Sequence, residues 1–250
     1  MKSFNPDSML ISEVDFDGKT DYQLFYPDKT TRIKGNFNCN ELNSTFTFYY
    51  KTGKTEIVNN YLEGLKDGPS VAYFPSGKKQ NEGNYIAGEE EGKWNFYNPD
   101  GTLYKTGFYK NGNADSIWTN YHYNHKIKSV THYKADQPID TARYFNPAGE
   151  FMFALIFSNN GLRAYQYESA TGLVTKYINI KDAGSFKTYF KTGQISSEQN
   201  YNGGILVGKR IFYYASGNKY LEFNVNNEDY EGEFAEYYPT GKPKELNLFK

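Results

Sequence analysis

The chain has 250 residues, with 28 Lys and Arg against 29 Asp and Glu, and a formal net charge of −1. Because the charges nearly cancel, nothing in the composition favours nucleic acid or an anionic membrane as a partner. Tyr and Phe are abundant, at 25 and 19 residues, and such usage favours strands over helices. The composition therefore predicts an all-β protein and excludes a strongly basic nucleic-acid binder.

The first residues, MKSFNPDSML, lack the apolar stretch of a signal peptide. They copy the motif FYNPDGTL around Gly101, with Ser8 in the place of the Gly. Because the chain starts inside a repeat motif, we expect either a cytoplasmic protein or an envelope protein whose export signal has been removed. Cys39 is the only cysteine, so no intramolecular disulfide is expected.

A turn motif recurs along the chain, mostly at intervals of 24 residues. The slot that usually holds its glycine contains Ser8, Lys29, Gly53, Gly77, Gly101, His125, Gly149, Gly193, Gly217 and Gly241. An aromatic residue precedes each slot by four positions, at Phe4, Phe25, Tyr49, Tyr73, Tyr97, Tyr121, Phe145, Tyr189, Tyr213 and Tyr237. A second aromatic position follows the slot by eight residues, at Tyr61, Tyr85, Tyr109, Tyr133, Phe157 and Tyr201. Several positions kept in one frame identify an internal repeat.

Each repeat carries two turn signals. Pro followed closely by Gly, as in Pro75 to Gly77, presets one turn because Pro fixes φ and Gly accepts a positive φ. A G-x-x-x-G segment such as Gly88 to Gly92 supplies the second. The sequence therefore predicts an elongated, antiparallel, single-layer sheet of roughly ten β-hairpin repeats, each about 24 residues long, with the aromatic ladders as its core.

Residues 150–185 fit the repeat frame poorly. Glu168 occupies an aromatic slot, and Gly172 stands out of register. We therefore predict a regular array at 1–149, degenerate repeats that bend the array at 150–185, and a second regular array at 186–250. The alternative for the middle segment is a partner site at which the regular sheet is interrupted.

In the segment YFPSGKKQNEGNYIAGEEEGKW, residues 73–94, the sequence resembles the MORN repeat, and most closely the bacterial variant of that repeat. The glycines eleven and fifteen residues after the turn Gly carry the resemblance, which covers most of the chain. It implies repeats that serve as scaffolds, dimerisation surfaces or lipid-binding surfaces, and it implies antitoxin-like bacterial relatives. His125 in the turn slot and Ser116 in a loop Gly position depart from the pattern.

Aromatic rings are the candidate binding residues, because an exposed flat ring suits protein partners and the faces of sugars. The candidates are Trp94, Trp118, Tyr50, Phe74, Tyr214, Tyr238, Phe151 and Phe153. The alternative is that these rings cover one another as the core of a thin sheet.

Three polar clusters have simpler structural explanations than a catalytic site. The weak metal-ligand candidates His122, His125 and His132 share one repeat, but no Cys or carboxylate stands at ligand spacing beside them. The segment GGILVGKR, residues 203–210, fails the phosphate-loop pattern at Arg210. Glu89–Glu91 is typical of a solvated turn. We expect no catalytic residues, no metal and no cofactor.

Three functions remain, of which a non-enzymatic scaffold for protein–protein interaction ranks first. An antitoxin or immunity protein that neutralises a toxin ranks second, and an envelope protein that binds glycan or lipid ranks third. We expect a protein partner, and an exposed sheet end also suits a homodimer. Nucleic acid is not expected as a partner, and membrane or glycan binding is disfavoured.

Overall fold

The computed structural model shows an all-β chain, and every regular element in the described residues is a β-strand. It describes residues 2–4, 10–13, 19–38, 41–158, 161–179, 181–226 and 229–249. The chain divides into two compact units, Met1–Ala114 and Asp115–Lys250. The predicted antiparallel repeat fold is confirmed in both, although the turn slot at Ser8 lies outside the described residues.

Unit 1 is built from hairpins that follow one another along the chain. Its strands are β1 (Lys2–Phe4), β2 (Leu10–Glu13), β3 (Lys19–Phe25), β4 (Thr31–Asn38), β5 (Glu41–Leu42), β6 (Ser44–Tyr49), β7 (Thr55–Leu62), β8 (Leu65–Tyr73), β9 (Lys79–Ile86), β10 (Glu89–Tyr97) and β11 (Leu103–Lys110). β1 pairs with β2, and the strands from β3 to β11 pair antiparallel in chain order, with the short β5 beside β4 and outside that path. Such a ladder is what consecutive hairpins produce.

Unit 2 contains two runs of antiparallel strands. The first run is β12 (Asn113–Tyr121), in which the unit begins, β13 (Ile127–Lys134), β14 (Gln137–Phe145), β15 (Phe151–Ser158), β16 (Gly161–Ser169) and β17 (Gly172–Tyr177). The second run is β18 (Ala183–Tyr189), β19 (Ile195–Asn202), β20 (Ile205–Tyr213), β21 (Lys219–Asn226), β22 (Asp229–Tyr237) and β23 (Pro243–Phe249). This second run is a separate six-stranded sheet.

The first turn of each repeat forms where the sequence places it. At Gly53 the amide donates to the Tyr50 carbonyl oxygen at 2.8 Å, and the same closure recurs in the other repeats. Lys29 and His125, the non-glycine residues in this slot, also adopt positive φ, at 68° and 65°. The conformation of the slot therefore follows the repeat even where the residue departs from it.

The G-x-x-x-G segment proves to be a turn followed by a bulge, where the sequence analysis expected a turn alone. Ala87 and Gly88 have φ of 49° and 91°, as a two-residue hairpin turn with positive φ at both positions requires. Gly92 has φ of 73°, and the pairing register between β9 and β10 shifts just after Glu91. The second glycine thus supports a β-bulge, which bends and twists its strand.

One face of unit 1 is covered by interlocked rings. Trp94 lies edge-on between Tyr85 and Tyr109, with ring centroids 5.2 and 6.0 Å away, and is 4% exposed. Gly83 provides the space: a Cβ there would lie 2.1 Å from the Trp94 ring. Tyr97, from the other aromatic ladder, instead donates to Glu82 at 2.5 Å. The two ladders therefore occupy opposite faces of the sheet, since alternate residues of a strand point to opposite sides.

The core of unit 2 differs from the predicted single layer, because its two sheets pack together. Phe153 of β15 stacks on Tyr144 at 4.7 Å within its own sheet and on Phe212 of the second sheet at 5.7 Å. Tyr165 and Phe186 stack across the same junction at 4.2 Å. The apolar run in residues 150–185 explains the second layer, since one solvated face cannot hold so much apolar surface.

Candidate functional site

An apolar strip lies on two neighbouring hairpin tips of unit 1. Leu62, Leu65 and Ile86 are each more than half exposed, and we call these three residues the tip strip. The Gly88 amide donates to the Lys66 carbonyl oxygen at 2.8 Å, so the second tip is tied to the first. A Cβ at Gly88 would lie 3.8 Å from the Leu65 side chain. Leu65 of the first tip therefore lies beside the turn of the second tip, which follows directly on Ile86.

Acidic side chains hold and surround the tip strip. The Ala87 amide donates to Asp67 Oδ2 at 3.1 Å, which is a further bond from one tip to the next. Glu63 and Glu89 are exposed beside the apolar side chains. Because carboxylates flank it, the strip suits an apolar group that carries neighbouring positive charge.

A cleft in unit 2 is lined by four turns, at residues 122–126, 146–150, 214–218 and 238–242. We call it the turn cleft. Two of these turns belong to the first run of strands and two to the second sheet. The cavity has a volume of about 550 Å³, which lies within the range of small-molecule sites.

His122 joins the two sheets of unit 2 at the floor of the turn cleft. Its Nε2 lies 2.9 Å from the Phe145 carbonyl oxygen, so this nitrogen carries the proton and donates. Its Nδ1 accepts from the Tyr220 hydroxyl at 3.3 Å. Burial lowers the pKa of His122, against the opposing effect of the hydrogen bond to Phe145. The side chain is therefore a neutral structural link.

The charged side chains that line the turn cleft are hydrogen-bonded, two of them as an ion pair and Glu150 to a neutral amide. Lys244 Nζ donates to Glu236 Oε1 at 2.8 Å and lies 5.9 Å from the centre of the Tyr123 ring. Glu150 Oε2 accepts from the Asn146 side-chain amide at 2.7 Å. The cleft thus offers both hydrogen-bond donors and acceptors, with two carboxylates and one ammonium among its lining side chains.

The two tryptophans among the predicted binding residues are buried. Trp94 is 4% exposed and Trp118 is 2% exposed. Neither ring presents a face to solvent on which a ligand could stack. Their positions match the alternative that the sequence analysis left open, in which these rings are core.

The remaining ring candidates divide between structural positions and the turn cleft. Phe153 is fully buried, and Phe151 and Phe74 are half-buried. Tyr50 and Tyr214 donate their hydroxyls to the carbonyls of Tyr73 and Tyr237, at 2.6 and 2.9 Å, which ties one repeat to the next. Tyr238 alone of the eight candidates is substantially exposed, at 49%, and it lines the turn cleft.

The weak metal candidates lie in different environments. His122 is bonded as described, and His125 is exposed at the turn slot. His132 Nδ1 lies 3.7 Å from Asp140 Oδ2 on the surface of the sheet. Within the described ranges, no group of three or more His, Cys, Asp or Glu side chains is placed to hold a metal ion.

The other two polar segments of the sequence analysis are hairpin elements. Gly203 and Gly204 form a two-residue turn with positive φ, and Gly208 has the positive φ of the bulge position. Arg210 donates to Gln199 Oε1 at 2.6 Å. Glu91 Oε2 accepts from the Asn111 amide of the next tip at 2.9 Å.

Sequence reasoning missed Tyr123, which is the most exposed ring of the turn cleft at 61%. The signal was present in the sequence. Two residues before the turn slot, Tyr123 is the one aromatic residue among the repeats. The others have proline, at Pro6, Pro27, Pro75, Pro99, Pro147 and Pro239, or a non-aromatic residue, at Lys51, Lys191 and Ala215. A large ring in the place of a turn proline is a departure that repeat geometry does not require.

Four segments of the chain, residues 66–87, 90–111, 184–202 and 230–250, match the family model described as MORN repeat variant. The repeat type that the sequence analysis identified is thereby confirmed in these segments. Among the described residues no helix has the length and hydropathy to cross a membrane.

Comparison with curated proteins finds no match. Among solved structures, a crystal structure of TcdB2-TccC3-TEV is 11% identical over 99% of this chain and 16% of that chain, with a TM-score of 0.21. The Photorhabdus luminescens Tc holotoxin pore is 10% identical over 99% of this chain and 16% of that chain, with a TM-score of 0.20. This chain therefore spans 16% of the length of each of those chains.

Proposed function

We propose that this chain is a non-enzymatic repeat scaffold that binds another protein through the tip strip of unit 1. The observation that supports the proposal is the exposure of Leu62, Leu65 and Ile86 on tips that hydrogen bonds fix side by side. Exposed apolar side chains that are contiguous and rigidly held are typical of protein-binding surfaces. Burying them in a complex is favourable and requires little ordering of the scaffold.

The partner is a protein segment that presents apolar side chains flanked by Lys or Arg. The apolar groups complement the tip strip, and the basic groups complement Glu63 and Glu89. Charges at the rim of an interface act mainly on the rate of association. Replacing both glutamates by Lys should therefore slow association and remove most of its dependence on ionic strength.

The test uses a triple substitution, Leu62→Ser, Leu65→Ser and Ile86→Ser, in a tagged full-length chain. These side chains are exposed, so the variant is expected to fold as the wild type does. A photo-crosslinking residue at Ala87, on the second tip, is expected to capture a defined protein from native cells, and the triple variant should lose that product.

The matched control is Leu246→Ser with Leu248→Ser, on the edge strand β23, where both side chains are also exposed. The control should retain the crosslink. If the control loses the product and the triple variant keeps it, the binding surface lies at the sheet end and the tip-strip proposal is wrong. Light scattering of the control variant also tests the homodimer that the sequence analysis placed at a sheet end.

A more specific proposal is that the protein partner is a toxin, which this chain neutralises. Only the resemblance to bacterial antitoxin-like proteins supports it, and it requires no change to the binding surface. If a toxin is encoded beside this gene in its source genome, co-expression of the wild-type chain is expected to restore growth, and the triple variant should fail to restore it. Growth arrest that the wild-type chain does not relieve would remove the antitoxin role and leave the scaffold role standing.

A further inference from the structure

The turn cleft carries two exposed aromatic rings that the packing of unit 2 leaves open. Tyr123 and Tyr238 are 61% and 49% exposed, although both belong to well-formed turns. At the position of Tyr238 in other repeats, Tyr26 and Tyr50 donate to a carbonyl of the following repeat at 2.8 and 2.6 Å. Tyr238 is 49% exposed at this position, whereas Tyr214 at the same position is 7% exposed and donates to the Tyr237 carbonyl oxygen.

The lining of the turn cleft combines apolar and polar surface. Pro147 and Pro239 add to the aromatic surface of the two tyrosines. Ser216 lines the same cavity and contributes a hydroxyl. A ligand that fills this cavity must therefore pair flat apolar faces with several hydrogen-bonding groups.

The charged side chains that line the turn cleft are two carboxylates and one ammonium, so they disfavour an anionic ligand. The Lys244 ammonium is bonded to Glu236 at 2.8 Å, and Glu150 is bonded to Asn146 at 2.7 Å. An anion would meet the two carboxylates, and a cation would compete with Lys244 for Glu236. A ligand rich in hydroxyls can donate to the carboxylates and accept from the ammonium without disturbing the ion pair.

We propose that the turn cleft binds a neutral sugar, with a pyranose ring stacked on Tyr123 or Tyr238 and its hydroxyls bonded to Glu150, Glu236 and Lys244. Sugars have the required combination of apolar C–H faces and hydroxyl edges. Of the candidate rings of the sequence analysis, the proposal keeps exposed Tyr238, leaves out buried Trp94 and Trp118, and adds Tyr123. It is independent of protein binding at the tip strip, which lies in unit 1.

The first experiment titrates the full-length chain with neutral oligosaccharides of glucose, mannose, galactose and N-acetylglucosamine, observed by calorimetry. At least one series is expected to bind, and Tyr123→Ala and Tyr238→Ala should each weaken it about three- to tenfold. The affinity should change little with ionic strength, because the ligand has no charge. Tyr177→Ala is the matched control: this ring is 86% exposed on β17, in the same unit but outside the cleft, and its loss should not change binding.

Four results would overturn the proposal. They are no binding by any series, binding unchanged in both cleft variants, equal loss in the Tyr177 variant, and binding of a proline-rich peptide with no sugar bound. Thermal unfolding of each variant establishes that loss of binding is not loss of fold. Binding to soluble polysaccharide or to a glycosylated protein, lost after enzymatic deglycosylation of that protein, would each support the site and would identify the source of the sugar.

Discussion

The space under Trp94 gives the sharpest test of how the repeats pack. Gly83→Ala places a Cβ 2.1 Å from the Trp94 ring, well inside van der Waals contact. The backbone of Gly83 does not need a positive φ, so the substitution acts through steric overlap alone. The indole has little freedom to move aside, because Tyr85 and Tyr109 hold its two sides.

The expected costs follow from overpacking and from cavity formation. Gly83→Ala should lower the free energy of unfolding by about 1–3 kcal/mol. Trp94→Ala should lower it by about 3–5 kcal/mol, because it removes a buried ring and leaves a cavity. For a chain of this length, 1 kcal/mol corresponds to a shift in Tm of about 2–4 °C.

The double substitution Gly83→Thr with Trp94→Ala should cost less than the two single substitutions together. It copies the pair Thr131 and Ala142 of unit 2, which occupies the equivalent repeat positions and is buried. Thr partly fills the space that the indole leaves, and it favours a strand over Gly. We expect the double variant to recover about 1–3 kcal/mol of the additive sum.

Urea unfolding of the wild type, Gly83→Thr, Trp94→Ala and the double variant measures this coupling. Gln80→Ala, an exposed position on the same strand, is the control and should lie within about 0.5 kcal/mol of wild type. If the two single costs simply add in the double variant, Gly83 and Trp94 do not act as a complementary pair and the packing argument fails.

Three further predictions concern unit 2. Burial lowers the pKa of His122 below 6.5 in the folded chain, so the unfolded chain takes up a proton at this residue more readily. The stability of the fold should therefore fall as the pH drops below about 6.5. His122→Tyr should abolish this contribution to the pH dependence. Burial acts to raise the pKa of Glu222, but hydrogen bonds from Tyr237 and Lys219 outweigh it and bring the pKa to about 2. The free energy of unfolding that this shift contributes should be lost as the pH falls from about 4.5 toward 2. Glu222→Gln should lower the free energy of unfolding by about 1–3 kcal/mol at neutral pH. Phe153→Ala should cost about 3–5 kcal/mol, because this ring joins the two sheets.

Each of these three predictions has a defined contradiction. If His122→Tyr leaves the loss of stability below about pH 6.5 the same as in the wild type, another group titrates there. A variant Glu222→Gln that keeps the full acid sensitivity of the wild type would remove this carboxylate as its cause. Phe153→Ala that costs less than about 1 kcal/mol would show that the sheets of unit 2 do not depend on the stacked rings.

The repeat frame was predictable because it depends on local chemistry. Hairpins form wherever a turn with positive φ recurs at a fixed interval between strands whose aromatic residues share one face. Even Lys29 and His125 adopt the positive φ of the turn slot. The second layer of unit 2 was not predictable in the same way. It depends on which distant strands pack together, such as those of Phe153 and Phe212, and local periodicity carries no information about that contact.

The pairs of complementary side chains can be recognised in the sequence, but only when the repeats are compared with one another. Six residues after the turn slot stand Gly35 and Gly83, and seven before the following slot stand Phe46 and Trp94. In each pair a missing Cβ admits a ring. Where Gln199 takes the first position, Arg210 takes the second and donates to it at 2.6 Å. Size is therefore complementary in the two glycine pairs, and polarity is matched in the pair of Gln199 and Arg210.

The same comparison of repeats distinguishes unusual residues that the fold explains from unusual residues that it does not explain. His122 departs from the aromatic residues common at its position, yet it keeps the hydrogen bond to the next repeat that Tyr50 and Tyr214 make, so the fold accounts for it. Tyr123 departs from proline, and its ring gains no burial from the change, since it stays 61% exposed. Because an exposed ring adds little to the stability of the fold, the residue at position 123 is better explained by what the turn cleft binds than by how the repeat folds.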